Sequence, residues 1–167
     1  MYQESIEQII NWAEDALYDG DLVYARKLLY SALEDEPGYA RLHFTIGWMY
    51  HYYYQNYNQA EHYYKWAIHF DSRYADAFVE LNRLYNKLGW YGKVITLMKK
   101  AAEIESIDQE YINCNLAIAL ERKGHFQEAL RYYRKALMCS LDVDSSKELR
   151  QHIKRAKLKK LKVIWKI

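Results

Sequence analysis

The apolar positions of the chain recur in a fixed motif: a small residue, a large one four positions on, and a second small one three further. It reads Ala25, Leu29, Ala32, then Ala60, Tyr64, Ala67, then Val94, Met98, Ala101 (valine in the first small position), then Ala129, Tyr133, Ala136. The first members of these sets lie 35, 34 and 35 residues apart. Steps of four and three place all three residues on one helix face. A period in the mid-thirties kept over four copies marks stacked helical hairpins rather than one undivided core. A second stripe at helical spacing precedes each copy: Ile9, Trp12, Ala13 and Ala16; Ile46, Gly47 and Tyr50; Phe78, Leu81 and Tyr85; Leu116, Ala117 and Leu120. The pattern predicts an all-α fold of four hairpins over about 6–39, 40–74, 75–109 and 110–143, with a ninth helix beyond.

Start and stop signals agree with this. Ser5 with Gln8 three residues later forms a capping box that opens the first helix. Gly20, Gly89 and Gly124 sit at turns where the chain needs a left-handed residue, and Pro37 closes the first hairpin. The second hairpin has Gln55-Asn56 at its turn instead of glycine. Its first helix is therefore expected to run one residue longer than its counterparts, with Asn56 at positive φ. Ser145 with Glu148 predicts the start of the last helix. Along it Leu149, Ile153, Ala156, Val163, Ile164 and Ile167 share one stripe, broken by Lys160, while Leu158, Leu161 and Trp165 point roughly the other way.

Composition narrows the class. Half of the 167 residues are apolar (51%), enough for a continuous core, and one proline with six glycines leaves little room for long loops. Eighteen tyrosines and five tryptophans serve equally as core or as contact surface. The net charge of +2 is no argument for nucleic acid, but its distribution is uneven. Residues 1–37 carry nine acids against Arg26 and Lys27, and residues 144–167 carry nine bases against Asp144 and Glu148, so the two ends hold −7 and +7. Cys114 and Cys139 have no metal or redox spacing and are expected to be reduced, buried thiols. The N-terminus lacks the charged and apolar regions of a secretory signal, and no run of about 18 apolar residues is present, which points to a cytoplasmic protein. The six histidines show no paired metal spacing and no nucleophile–histidine–acid set stands out. Neither an enzyme nor a bound cofactor is expected.

These residues resemble the tetratricopeptide-repeat (TPR) family. Residues 6–143 match its 34-residue pattern as four units, best at Ile46-Gly47-x2-Tyr50 with Ala60, Tyr64 and Ala67, and at Leu116-Ala117-x2-Leu120 with Gly124, Ala129, Tyr133 and Ala136. The family's closing proline survives only at Pro37, and Asn82 stands where glycine or alanine is usual. The resemblance implies a right-handed α-solenoid of four hairpins over residues 1–143, ended by a basic capping helix and tail over 144–167. It also implies a concave groove, lined by the first helix of each pair, that holds a peptide or protein segment.

By that register the groove residues are Arg41, Phe44, Trp48, His51 and Tyr52 in the second unit, Arg83 and Asn86 in the third, and Asn115 in the fourth. The lysine–asparagine clamp with which some family members grip a C-terminal carboxylate is absent from the first three units, where Ile10, Glu14, Thr45 and Glu80 occupy those positions. What remains is an aromatic centre flanked by arginines, made of the residue types that dominate binding hot spots. The competing assignment is that Trp48 and the tyrosines merely fill gaps between hairpins. The tyrosine run from Tyr50 to Tyr57 has no basic residue interleaved between Arg41 and Lys65, which disfavours base stacking on nucleic acid. The expected function is an adaptor, scaffold or small chaperone. The alternative is a membrane- or nucleic-acid-associated factor working through Lys157, Lys159, Lys160, Lys162 and Lys166. For that tail, residues 146–156 are expected to form an integral cap. Residues 157–167 are expected to engage an anionic membrane, an acidic partner or the acidic first repeat of another copy, or else to be a frayed end.

Overall fold

One backbone position in each hairpin carries a left-handed residue: Gly20 (φ 84°), Gln55 (φ 51°), Gly89 (φ 69°) and Gly124 (φ 82°). These four lie 35, 34 and 35 residues apart, the same steps as the small–large–small motif that follows each of them. The computed structural model describes residues 5–164, with side chains through 162. Among the described residues there are nine helices and no strand: α1 (Ile6–Tyr18), α2 (Leu22–Asp35), α3 (Ala40–Tyr52), α4 (Tyr57–Phe70), α5 (Ala75–Lys87), α6 (Tyr91–Ala101), α7 (Gln109–Arg122), α8 (Phe126–Cys139) and α9 (Val143–Ile164).

The second hairpin departs from expectation. Its first helix is not lengthened: α1, α3 and α5 each have 13 residues, and the extra residue sits in the turn. Elsewhere the turn is closed by an N–H bonding the carbonyl five residues back, Asp21 to Ala16 (2.8 Å), Trp90 to Tyr85 (2.9 Å) and His125 to Leu120 (2.9 Å). Here Asn56 reaches six back, to Tyr50 (2.9 Å). The left-handed residue is Gln55, not Asn56. Asn56 instead has φ −90° and caps α4, its side chain accepting from the Gln59 N–H at 3.2 Å. The cap role needs extended-side φ, so the strained conformation falls on its neighbour.

The chain divides into two compact units between Leu84 and Tyr85, within α5. In the N-terminal unit, Ile10, Ala13, Leu17, Ala25, Leu29, Leu42, Ile46 and Met49 form a buried cluster. Gly47 marks a close helix approach there. A methyl group at Gly47 would lie 2.8 Å from Cδ1 of Tyr64 and 3.2 Å from its backbone nitrogen. Around this cluster the tyrosines cross-link the helices, the Tyr30 hydroxyl bonding those of Tyr50 (2.9 Å) and Tyr63 (3.1 Å). In the C-terminal unit, Ala117, Leu120, Ala129, Leu130, Tyr133 and Ala136 pack with Leu149 and Ala156 of α9.

The last helix starts earlier than the Ser145 capping box implies. Asp142 is the cap, accepting from the Ser145 N–H at 2.7 Å. It also holds more of its length against the array than expected. The division at residue 156 fails because Lys159 bonds Glu121 (2.8 Å) and Lys160 bonds Gln127. Lys157 and Lys162 do point outward, while Lys166, Trp165 and Ile167 lie outside the described residues, as do the side chains of Val163 and Ile164. Of the cysteines, Cys114 is partly buried, with burial pushing its thiol up to about 11, but Cys139 is exposed at the end of α8.

Candidate functional site

Six of the eight expected groove residues fall in the N-terminal unit and two, Asn86 and Asn115, in the C-terminal unit. Within the N-terminal unit, α3 sets out Arg41, Phe44, Trp48, His51 and Tyr52 at successive steps of three, four, three and one. That spacing spreads them along one side of the helix rather than burying them together.

Arg41 is already engaged. Its guanidinium bonds Glu7, Asn11 (2.7 Å) and Glu14 (2.9 Å) of α1, and Tyr39 also donates to Glu7. Burial alone would lower its affinity for the proton, but Glu14 and Glu7 raise it, so it stays cationic. Thr45 completes the set by donating to Glu14 at 3.1 Å. These polar residues fasten α1 to α3 and leave Arg41 little to offer a ligand.

The aromatic members differ from it. Phe44 is half-buried, 5.4 Å from Tyr74 and 5.9 Å from Tyr64. Trp48 is half-buried too, its ring 5.5 Å from both Tyr52 and Tyr53. Tyr52 is 43% exposed, yet its hydroxyl donates to Glu80 at 2.6 Å, and Glu80 is paired in turn with Arg83 at 3.0 Å. Burial and the adjacent Glu80 raise the Tyr52 phenol, keeping it a neutral donor. His51 lies beneath at 3% exposure, stacked on Tyr52 at 4.2 Å and sharing a hydrogen bond with the Tyr64 hydroxyl (3.3 Å). It supports the surface from below. In the C-terminal unit, Asn86 donates to the Asn115 side chain (3.2 Å), which itself donates to the Tyr111 carbonyl (2.9 Å).

The hairpin fold has known counterparts. MamA matches with a TM-score of 0.69 at 22% identity, over 81% of this chain and 78% of that one. PilF of Pseudomonas aeruginosa matches with a TM-score of 0.70 at 17% identity, over 95% and 70%. PilW, a widely conserved type IV pilus biogenesis factor, matches with a TM-score of 0.69 at 18% identity, over 93% and 71%. All three are tetratricopeptide-repeat proteins. This chain has the tetratricopeptide-repeat fold. No family model matches it, and no curated protein does.

Within the TPR register, sequence reasoning passed over two features. One is an aromatic stripe on α4, where Trp66 and Phe70 are stacked at 5.4 Å and partly exposed and Trp66 donates to His62 at 2.9 Å. His43 underlies it, 4.9 Å from Phe70, with one ring nitrogen on the Pro37 carbonyl (2.7 Å). The helical spacing of His62, Trp66, His69 and Phe70 was readable in the sequence, but these residues lie on a second helix, outside the groove register of the first helices. The other is Glu121, 2% exposed, which takes hydrogen bonds from Tyr133 (2.8 Å), Arg155 (2.9 Å) and Lys159 (2.8 Å). Burial pushes its carboxyl up, but those three donors outweigh it and hold it at about 2. No sequence signal links positions 34 and 38 residues apart. Among the described residues no helix is long and apolar enough to cross a membrane, and no three His, Cys, Asp or Glu are grouped to hold a metal.

Proposed function

We propose that the protein is a non-enzymatic binding module that holds a peptide or helix of a protein partner against the outer side of α3, with Trp48 and Tyr52 as its anchors. The observation that supports this reading is the fixed yet accessible geometry of Tyr52, with its ring braced by Trp48 and His51 and its hydroxyl tied to Glu80. Aromatics held in place before binding lose little freedom when a partner arrives, and Trp and Tyr are enriched among hot spots for that reason. Of the TPR neighbours, PilW is a type IV pilus biogenesis factor. At 17–22% identity they lend the fold and no particular partner.

Arg41 belongs to the supporting structure in this reading, not to the contact. The alternative, a membrane or nucleic-acid factor acting through the whole basic tail, is weakened because Lys159 and Lys160 are spent on Glu121 and Gln127.

Peptides selected from a displayed random library against the full chain provide the test. Trp48→Ala should weaken the selected binders by about 2 kcal/mol while the helical circular dichroism signal is kept. Met138→Ala, at an exposed site on α8, should leave them unchanged. Binders indifferent to Trp48→Ala would refute the assignment, and unfolding of that variant would show the residue to be core.

A further inference from the structure

The outer face of α9 is left uncovered by its own chain. Arg150, Lys154, Lys157, Leu158 and Leu161 follow one another at steps of four, three, one and three, and Leu158 and Leu161 are 53% and 51% exposed. The opposite face is occupied, with Leu149 and Ala156 buried and Arg155 and Lys159 on Glu121. Lys154, Leu158 and Lys162 border a shallow, mainly apolar channel of about 380 Å³, closed on its far side by Arg155 and Lys159, which Glu121 holds. None of Arg150, Lys154, Lys157 or Lys162 has an ionic partner among the described residues, so this face is both greasy and positively charged.

A surface of the opposite kind lies in the N-terminal unit. A cleft of about 570 Å³ between α1 and α2 is lined by Trp12, Ala16, Tyr24 and Leu28, and its rim carries Asp15, Asp19 and Asp21. Asp21 caps α2 through the Tyr24 N–H (3.0 Å). Asp15 and Asp19 have no cation beside them among the described residues. Glu7 and Glu14, which share α1 with them, are neutralised by Arg41. Asp15, Asp19 and Asp21 thus leave uncompensated negative charge at the cleft.

We propose that the α9 outer face of one copy seats in the α1–α2 cleft of a second copy. Leu158 enters between Trp12 and Tyr24. Lys154 and Lys162, about 6 Å along the helix axis to either side of Leu158, meet rim carboxylates on the two sides of the cleft. Charge complementarity selects this occupant: an unpaired basic face of the chain has the shape of a helix edge, and the three aspartates surround an apolar cleft that could receive it. Because the two surfaces differ, the contact is heterologous, and it either closes into a ring or extends as a filament.

Sedimentation velocity of the full chain decides the matter. Self-association should rise with protein concentration at low salt and weaken about tenfold or more in roughly 0.5 M NaCl, since the pairs involved are solvent-exposed. Asp15→Lys/Asp19→Lys and Lys154→Glu/Lys162→Glu should each be monomeric alone and reassociate when mixed, because the mixture restores opposite charges across the contact. If either pair loses helicity, Leu158→Ser takes its place and must also abolish assembly. A wild-type chain that stays monomeric, or a mixture that does not reassociate, overturns the proposal. So does a monomer that instead co-sediments with phosphatidylserine vesicles through Lys154 and Lys162, which would make the face a membrane contact. None of these results bears on Trp48, so the two readings fail separately.

Discussion

Tyr64 and Tyr133 hold the same register position in hairpins two and four, and both send a hydroxyl back to the first helix of their pair. Tyr64 meets the His51 imidazole, and Tyr133 meets Glu121, a carboxylate. Around His51 the N-terminal unit closes with rings: Tyr52 stacks at 4.2 Å, and Tyr57 and Tyr64 stand edge-on at 6.0 Å. Around Glu121 rings would not suffice, because a buried carboxylate without cations is strongly destabilising. The C-terminal unit therefore recruits Arg155 and Lys159 from α9. A terminal helix in a repeat array shields apolar surface. Here it also carries the counter-charge that its neighbour requires.

The comparison is broken most directly at Glu121. Arg155→Ala/Lys159→Ala should cost about 3 kcal/mol in urea unfolding, since it strands the carboxylate. Acid should act on the same group. Its folded value lies near 2, below the ordinary 4.5, so its contribution is complete above about pH 4.5 and is lost as the pH falls from there toward 2. If unfolding is insensitive to both, the ionic account of this unit is wrong.

A smaller effect tests the N-terminal unit. Gly47→Ala should cost about 1–3 kcal/mol, because the added methyl meets the Tyr64 ring and backbone. The register-equivalent Ala117 already bears a methyl, and Ala117→Gly should cost only about 0.5–1 kcal/mol. Equal losses at the two sites, measured by chemical denaturation, would remove the distinction in helix approach.

Gln55→Gly should raise stability by up to about 1 kcal/mol, by relieving the one non-glycine residue with positive φ among those described. A calorimetric melting temperature that fails to rise would show that the wider turn already relaxes the strain.

The finest test is histidine titration. Burial lowers the affinity of His43 for the proton, and its Nδ1 faces no acceptor, so the unfolded chain takes up the proton first. Stability present at neutral pH should decline as the pH drops below 6.5, and His43→Phe should flatten that decline. His152, lowered by burial and by Arg155, contributes in the same direction from the C-terminal unit. The His43→Phe variant isolates the first of the two.

The repeat, the helix count and the small-residue contacts were legible because they depend on spacing along a single helix or between the two helices of a hairpin. Those interactions are local, and the 34- to 35-residue steps of Ala25, Ala60, Val94 and Ala129 record them directly. The aromatic side of α3 was legible for the same reason. What sequence could not decide was the state of each polar group once repeats were stacked. Arg41 reads as a ligand-binding cation until Glu7 and Glu14 arrive from α1, and Lys159 reads as a free tail residue until Glu121 arrives from α7. Ion pairing depends on angstrom-scale distances between side chains some 30 residues apart, and periodicity does not encode such distances. The turn at Gln55 belongs with them. Both Gln55 and Asn56 were available for positive φ, and the cap that α4 needed decided which residue took it.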